Sequence, residues 1–250
     1  MKNNEILSIK NLRKIYHTET SETVAVDDFS FSLSNGEFIA IVGPSGCGKS
    51  TILSILANLE NKSSGSIKIK ENYKLGYMLQ SDSLFEWRNI LDNCLLGLEI
   101  NKNLSKENIN YVLGLLKTYG LKDFINSHPS NLSGGMRQRV SLIRTLATKP
   151  DILLLDEPFS ALDYQTRLAV SDDVYRIIKK EKKSVIMVTH DLAEAISMAD
   201  KVIVLSKRPC SIKKIIPIKI ENKSTPIENR KSKEFSKYYE EIWKEIDLNV

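Results

Sequence analysis

Residues 43–51 read Gly-Pro-Ser-Gly-Cys-Gly-Lys-Ser-Thr, directly after the apolar run Phe38, Ile39, Ala40, Ile41, Val42. A wholly apolar pentapeptide, then three closely spaced glycines, then an apolar-patterned segment at 52–59 predicts a buried strand, a tight loop and a helix. Gly43, Gly46 and Gly48 let the backbone curl until successive N–H groups point inward, and Pro44, Ser45 and Cys47 share that loop. Such a nest holds phosphate oxygens, and the positive end of the following helix adds to the pull. Lys49 reaches the β and γ phosphates of a nucleoside triphosphate as a compact cation, and the Ser50 hydroxyl is placed to ligate Mg²⁺. Thr51 reads as a first-turn phosphate donor. An accidental glycine-rich turn would require neither the strand before it nor the helix after it.

A chain of 250 residues with 42% apolar and 27% charged content buries a substantial core as one large domain or a domain with an inserted lobe. It contains no apolar run near the ~20 residues that cross a bilayer, and its start lacks the apolar stretch of a signal peptide. A cytosolic chain is expected. Cys47, Cys94 and Cys210 are too few and too scattered for a disulfide framework or a zinc site, which fits a reducing compartment. Cys47 is read as a small side chain without a chemical role; were it to line the pocket, thiol reagents would block the site and nucleotide would protect it. The net charge of +5 is modest and spread out, so nucleic acid is not an expected partner, and the lysine-rich segments 179–183 and 207–233 read as solvated faces.

Alternation at Ile6, Ser8, Lys10, Leu12 and at Val26, Phe29, Phe31, Leu33 predicts antiparallel strands before the loop, with Asn35-Gly36 as the turn. Short strands are expected at 66–70 and 75–78. From about 84 to 135 the signal turns helical, with Ile109, Val112, Leu113 and Leu116 on one face, Ser105 as cap and Gly120 as stop. This block reads as an inserted lobe. Thereafter strand and helix alternate: 152–155, 166–180, 185–188, 192–198, 202–205. The expected class is α/β, a phosphate-loop nucleoside-triphosphatase core with a mostly parallel sheet, an N-terminal antiparallel β layer and an inserted helical lobe. The main domain is expected over 1–220. Residues 221–250 read as a polar linker and an amphipathic helix carrying Phe235, Tyr238, Tyr239, Ile242 and Ile246.

The apolar strand at 152–155 ends in Asp156 and Glu157, at the edge where open α/β sheets bind ligands. Read alone, such a pair fits a metal site or a helix-capping acid pair equally. Behind a phosphate loop, Asp156 suits Mg²⁺ and Glu157 suits the water attacking the γ phosphorus. Thr148-Lys149-Pro150-Asp151 matches a guanine-reading pattern but precedes the wrong strand, so Pro150 is read as a helix terminator. In Leu132-Ser133-Gly134-Gly135-Met136-Arg137-Gln138, Ser133 is an N-cap, and Gly134 and Gly135 leave bare N–H groups, giving a second anion-binding surface.

Residues 43–51, Gln80, 133–138, Asp156, Glu157, 160–163 and His190 together resemble the ATP-binding-cassette ATPases in order and spacing, over about residues 6–212. That resemblance implies that Ser133 binds the γ phosphate held by a partner copy, so that two head-to-tail chains bury two ATP molecules, with Asp163 meeting the partner across the interface. It also implies that His190 contacts the γ phosphate and that Gln80 touches Mg²⁺ and the attacking water. Catalytic work then falls to Glu157, His190, Lys49 and Gln80. Tyr16 resembles the aromatic that stacks on adenine, and a core role fits it nearly as well.

Residues 84–93, the run Asp-Leu-Ala-Glu-Ala at 191–195 and Arg208-Pro209 look like the nitrate, sulfonate and taurine type of bacterial importer subunit. Two positions depart from that pattern: Glu86 replaces a usual proline and Cys210 a usual glycine. The resemblance implies separate membrane permease subunits, a peripheral position on the inner face of the cell membrane, and an extracytoplasmic solute-binding protein. Phe85 and Trp87 beside Gln80 would line the groove receiving the permease, or else pack inside the lobe. The alternative is a soluble cassette acting on nucleic acid or the ribosome. DNA-repair relatives separate the two glycine motifs by a long coiled coil and ribosomal relatives carry two cassettes, neither of which this chain shows.

Overall fold

The computed structural model describes residues 4–247. Residues 1–3 and 248–250, the outer ends of the two segments expected from sequence, lie outside the described residues. The phosphate loop joins β3 (Phe38–Val42) to α1 (Lys49–Leu56), as its apolar flanks require. Period-two alternation sends the two faces of β3 to different cores: Ile39 and Ile41 to one, Phe38, Ala40 and Val42 to the other.

The first core lies under a three-stranded antiparallel sheet of β1 (Glu5–His17), β2 (Glu22–Ser34) and β4 (Ser64–Ile69), in the order β2-β1-β4. Ile52, Leu53 and Leu56 of α1 fill it against Leu7, Phe29 and Leu33. The β1–β2 connection is the hydrogen-bonded turn at Thr18 and Ser21, whereas Asn35-Gly36 leads from β2 into β3 in the other sheet. Gly36 stands at φ 73°, a value glycine adopts without strain, so the sequence located that turn but misassigned its strands.

The large sheet has the order β5-β6-β7-β3-β8-β9, with β5 (Leu75–Met78), β6 (Ile152–Asp156), β7 (Ser184–Val188) and β8 (Lys201–Leu205) parallel to β3. The antiparallel edge strand β9 (Ile212–Pro217) carries no clear strand signal in the sequence, because its lysines break the apolar pattern. Met78 stands beside Leu155, Asp156 beside Val188, and Val188 beside Ile41. That register aligns the carboxyl ends of four strands along one edge.

On the second face lie α2 (Ile90–Ile100), α3 (Lys106–Thr118), α4 (Gly134–Ala147), α5 (Tyr164–Lys180) and α6 (Leu192–Met198). Leu98, Val112 and Leu116 share one apolar cluster with Val140 and Ile143 of α4 and with the sheet, so the segment 84–135 is joined to the core through α4. Asn89 and Ser105 cap α2 and α3 by accepting N–H bonds.

Past Pro217 the lysine-rich segment is packed rather than a solvated tether. Lys223 Nζ lies 2.7 Å from Asp200 and bonds the Ala199 carbonyl, and buried Asn229 of α7 (Pro226–Asn229) donates to Ser197. Lys213 and Lys214 pair with Glu245 of α8 (Lys233–Asp247). Ile242 of α8 is fully buried, a contribution of about 1.5–3 kcal/mol, with Phe235 and Tyr238 beside it. Tyr239 faces outward instead and stacks on Trp243. No helix among the described residues is long and apolar enough to cross a membrane.

Candidate functional site

Gly46 and Gly48 take φ of 70° and 130°, the left-handed backbone that wraps the loop. Gly48 is the N-cap of α1 and supplies no side-chain cap, and the first turn of α1 has no acid, so the helix end keeps its positive field. Lys49 is buried inside the loop, its Nζ donating to the Gly43 and Pro44 carbonyls at 2.9 Å each. Gly43 is tight against β8: a Cβ there would lie 2.9 Å from Leu205 Cβ. The Cys47 side chain is buried beneath the loop rather than lining it, contrary to the pocket alternative for its thiol. Arg208 braces the loop by donating to the Gly46 carbonyl.

Ser50 Oγ donates to Asp156 Oδ1 at 3.1 Å, joining the start of α1 to the end of β6. Burial raises the Asp156 carboxyl above its ordinary range, and the hydroxyls of Ser50 and Tyr77 offset that only in part. Tyr77 donates to Asp156 Oδ2 at 3.0 Å, and burial beside that carboxylate pushes the phenol up to about 12. A desolvated carboxylate with a hydroxyl at one oxygen is a hard-oxygen donor set, so Ser50 and Asp156 fit a divalent cation such as Mg²⁺. Tyr77 orients Asp156 and was invisible in the sequence, where it reads as one more strand aromatic.

Glu157 has φ 43°, left-handed backbone costing roughly 1–3 kcal/mol in a residue other than glycine. Its N–H is held by the Val188 carbonyl at 2.9 Å. Two predicted partners meet it at one oxygen: Gln80 Nε2 donates to Oε2 at 3.3 Å, and His190 Nδ1 lies 3.0 Å from the same atom. An open cleft lined by Leu79, Gln80, Ser81, Asp156, Glu157, Ser160, Ala161 and His190 runs over them. Strained backbone, three polar side chains and a buried carboxylate meeting in one cleft make this the candidate active site.

Ser133 caps α4, its Oγ accepting the Met136 N–H at 3.4 Å, and both Ser133 and Gly134 are exposed. Gly135 serves packing: a Cβ there would stand 2.7 Å from Val170 Cγ2 of α5. Buried Gln138 donates to the Pro158 carbonyl, tying α4 to the Glu157 turn. Asp163 caps α5 by accepting the Gln165 and Thr166 N–H groups; the Thr166 side chain chiefly, with those backbone bonds, holds its carboxyl below the usual range. Tyr16 is exposed on β1 opposite Thr23, with the Lys14 ammonium 4.6 Å from its ring centroid. Thr148 is the C-cap of α4 and the Asp151 carboxylate accepts the Lys74 N–H, so the guanine-like pattern has the structural role read for it.

Phe85 and Trp87 stack with centroids 4.7 Å apart, and Trp87 is 74% exposed, so it does not pack inside the lobe. Asp82 fixes their loop to α4, taking a bidentate bond from Arg137 at 2.7 and 3.2 Å while Arg144 donates to the Asp82 and Ser83 carbonyls. Spacing could not pair Asp82 with Arg137, since the contact spans most of the helical segment.

Residues 26–160 match the family model described as ABC transporter. The chain belongs to the ABC transporter ATPase family. It is 43% identical over 248 residues to the uncharacterized ABC transporter ATP-binding protein YtlC of Bacillus subtilis (strain 168), covering 96% of this chain and 95% of that one. It is 33% identical over 247 residues to the aliphatic sulfonates import ATP-binding protein SsuB of Bacillus cereus (strain ZK / E33L), covering 96% of each. Among solved structures, the ATP-binding cassette MJ0796, described as a dimeric post-hydrolysis state bound to ADP and Pi, superposes with a TM-score of 0.73 at 29% identity. The match spans 86% of this chain and 99% of that one. The chain is therefore an ABC ATP-binding subunit and an ATPase.

Proposed function

We propose that this chain is the ATP-hydrolysing motor of an importer for a small organic or oxyanionic solute, working as a pair of identical chains on separate membrane permease subunits. The convergence of Gln80 and His190 on Glu157 Oε2, next to the Ser50–Asp156 pair, carries the hydrolytic part. The sulfonate import relative supports the transport part.

In this reading the backbone N–H groups of residues 43–51 and Lys49 hold the triphosphate, and Tyr16 offers its exposed face to adenine. Ser50, Asp156 and Gln80 would hold Mg²⁺, which when bound neutralises charge on the phosphate oxygens. Glu157 takes the proton of the attacking water, while His190 and Gln80 fix the carboxylate and the γ phosphate. Asp163 and the exposed turn at Ser133 and Gly134 face the second copy, and their N–H groups complete the anion site there. A two-fold pair closes both sites without leaving an open one. The 84–135 segment acts as the lobe that meets the permease, with Phe85 and Trp87 as apolar anchors beside Gln80. The subunit then sits on the inner face of the cell membrane, held there by the permease, and a solute-binding protein delivers cargo from outside.

Glu157→Gln tests the reading. With MgATP, sedimentation should show a stable dimer and hydrolysis should be lost. A variant that binds ATP but stays monomeric would refute the shared-site motor.

A further inference from the structure

The last helix carries an aromatic stripe that nothing among the described residues covers. In α8, Ile242 turns into the core, whereas Tyr239 and Trp243 stand one turn apart on the outer face, 37% and 50% exposed. Their rings stack with centroids 6.2 Å apart and planes 11° from parallel, and Phe235 continues the ladder 6.2 Å from Tyr239. Glu240 and Lys244 border the same shallow depression. Neither makes an ion pair among the described residues, whereas Glu241 and Glu245 of the same helix are held by Lys213 and Lys214.

The charge pattern selects what covers this face. Residues 233–247 hold five acidic residues against three lysines, which disfavours an anionic lipid surface. A second copy of the chain fits instead. Laid antiparallel about a two-fold axis near residues 241 and 242, α8 sets Tyr239 against the partner's Trp243 and Glu240 against the partner's Lys244, so each unpaired charge meets its opposite. A parallel arrangement would oppose like charges.

The placement of α8 agrees with that register. β9 runs antiparallel to β8, so Ile212 lies beside Leu205 at the carboxyl edge of the sheet. Glu245 is tied to Lys213 and Lys214 near that end, while the Tyr238 hydroxyl accepts the Lys219 N–H beyond the other. α8 therefore climbs toward the edge that bears the phosphate loop, with Trp243 on its upper half. Two copies facing each other across their ATP sites, the pairing on which this inference rests, bring their last helices together end-first and antiparallel.

We propose that the Tyr239–Trp243 face of α8 is a second contact between two copies of this chain, one that holds them side by side while the ATP sites are open. One helix stripe is far smaller than the ~1,200 Å² of a stable interface, so the contact is a tether. It raises the effective concentration at which the ATP sites reclose.

The test uses the full chain without nucleotide, by sedimentation equilibrium at low salt over about 1–100 μM. A concentration-dependent dimer is expected. Trp243→Ala should weaken it about tenfold or more with the urea midpoint unchanged, since the ring lies at the surface. Glu240→Lys and Lys244→Glu should each weaken it about fivefold or more. An equimolar mixture of those two variants should recover native dimerisation, because the mixed pair sets opposite charges at both contacts, a rescue that no effect within one chain can give. A native chain that stays monomeric, a Trp243→Ala chain that dimerises normally, or a mixture no better than its parents would each overturn the proposal. So would Trp243-dependent sedimentation of a monomeric chain with phosphatidylglycerol vesicles, which would give the face to the membrane. The ATP-held pair is read separately in the Glu157→Gln, Trp243→Ala double variant with MgATP, where a dimer is expected. A monomer there would fail the shared-site reading and the tether's geometry with it; a dimer there, beside a monomeric native chain without nucleotide, would sink the tether alone.

Discussion

The molecule has two glycine-rich helix starts, and they are built in opposite ways. At α1 the loop is wrapped by left-handed glycines, Lys49 is buried within it, and β6 and β7 bring Asp156, Glu157 and His190 alongside. At α4 the start is exposed and is finished only by the Ser133 cap. Both ends carry a positive field, but among the described residues only the first has the candidate catalytic side chains beside it. The lesson is that an anion-binding helix start and a cluster of candidate catalytic groups need not coincide: under the proposed function the first start holds and activates the phosphate, and the exposed second one acts on a phosphate presented from outside the chain.

Removing the proposed general base from the first region should have the largest effect. Glu157→Gln should lower kcat by about 10²–10⁴-fold, with ATP affinity kept, in a steady-state phosphate-release assay. Retained turnover would break the comparison by removing catalysis from the α1 side. Ser133→Asp comes next. Aspartate keeps the N-cap, so urea midpoints should hold, while its charge opposes a phosphate at α4 and hydrolysis should fall on the order of a hundredfold. An unchanged rate would mean that the exposed start has no part in the reaction.

The support of His190 offers a smaller, pH-dependent test. Glu194 accepts the Thr189 hydroxyl at 2.7 Å, Thr189 in turn accepts the Asp191 N–H, and burial raises the Glu194 carboxyl to about 7. A raised carboxyl stabilises the fold below its unfolded value and loses that contribution as pH rises through the folded value. Urea unfolding at about pH 5 and about pH 8 should therefore show Glu194→Gln gaining relative to the native chain, by up to about 3 kcal/mol. A pH-independent difference would contradict this. Trp87→Ala should have the least effect on the isolated subunit, within about 0.5 kcal/mol of stability and with ATPase activity unchanged, because the ring is mostly exposed. It should abolish co-purification with membrane subunits; unchanged association would move the docking groove elsewhere.

Much of this was legible because chemistry and periodicity coincide. The 43–51 loop, the apolar β6 ending in Asp156, and Ser133 as a cap are each local patterns, and the structure has them as β3–loop–α1, β6 and the start of α4. What failed was non-local. β9 hides behind its lysines, whose partners Glu241 and Glu245 lie on the last helix. Tyr77 matters only because β5 pairs with β6, which sets its hydroxyl on Asp156. Lys223 reads as solvated in the sequence because its partner Asp200 is remote along the chain. Gly135 was read for its bare N–H, yet its packing against Val170 is a steric demand no motif announces.

The shared site is tested most directly by mixing two inactive chains. Lys49→Ala leaves Ser133 intact and Ser133→Asp leaves Lys49 intact, so each homodimer lacks a working site, whereas a mixed dimer holds one site built from both intact halves. Random pairing makes half the dimers mixed, so hydrolysis should return to about a quarter of the native rate per chain if the two sites act independently. A mixture as inactive as its parents, though both bind as dimers, would contradict a triphosphate held between Lys49 of one copy and Ser133 of the other.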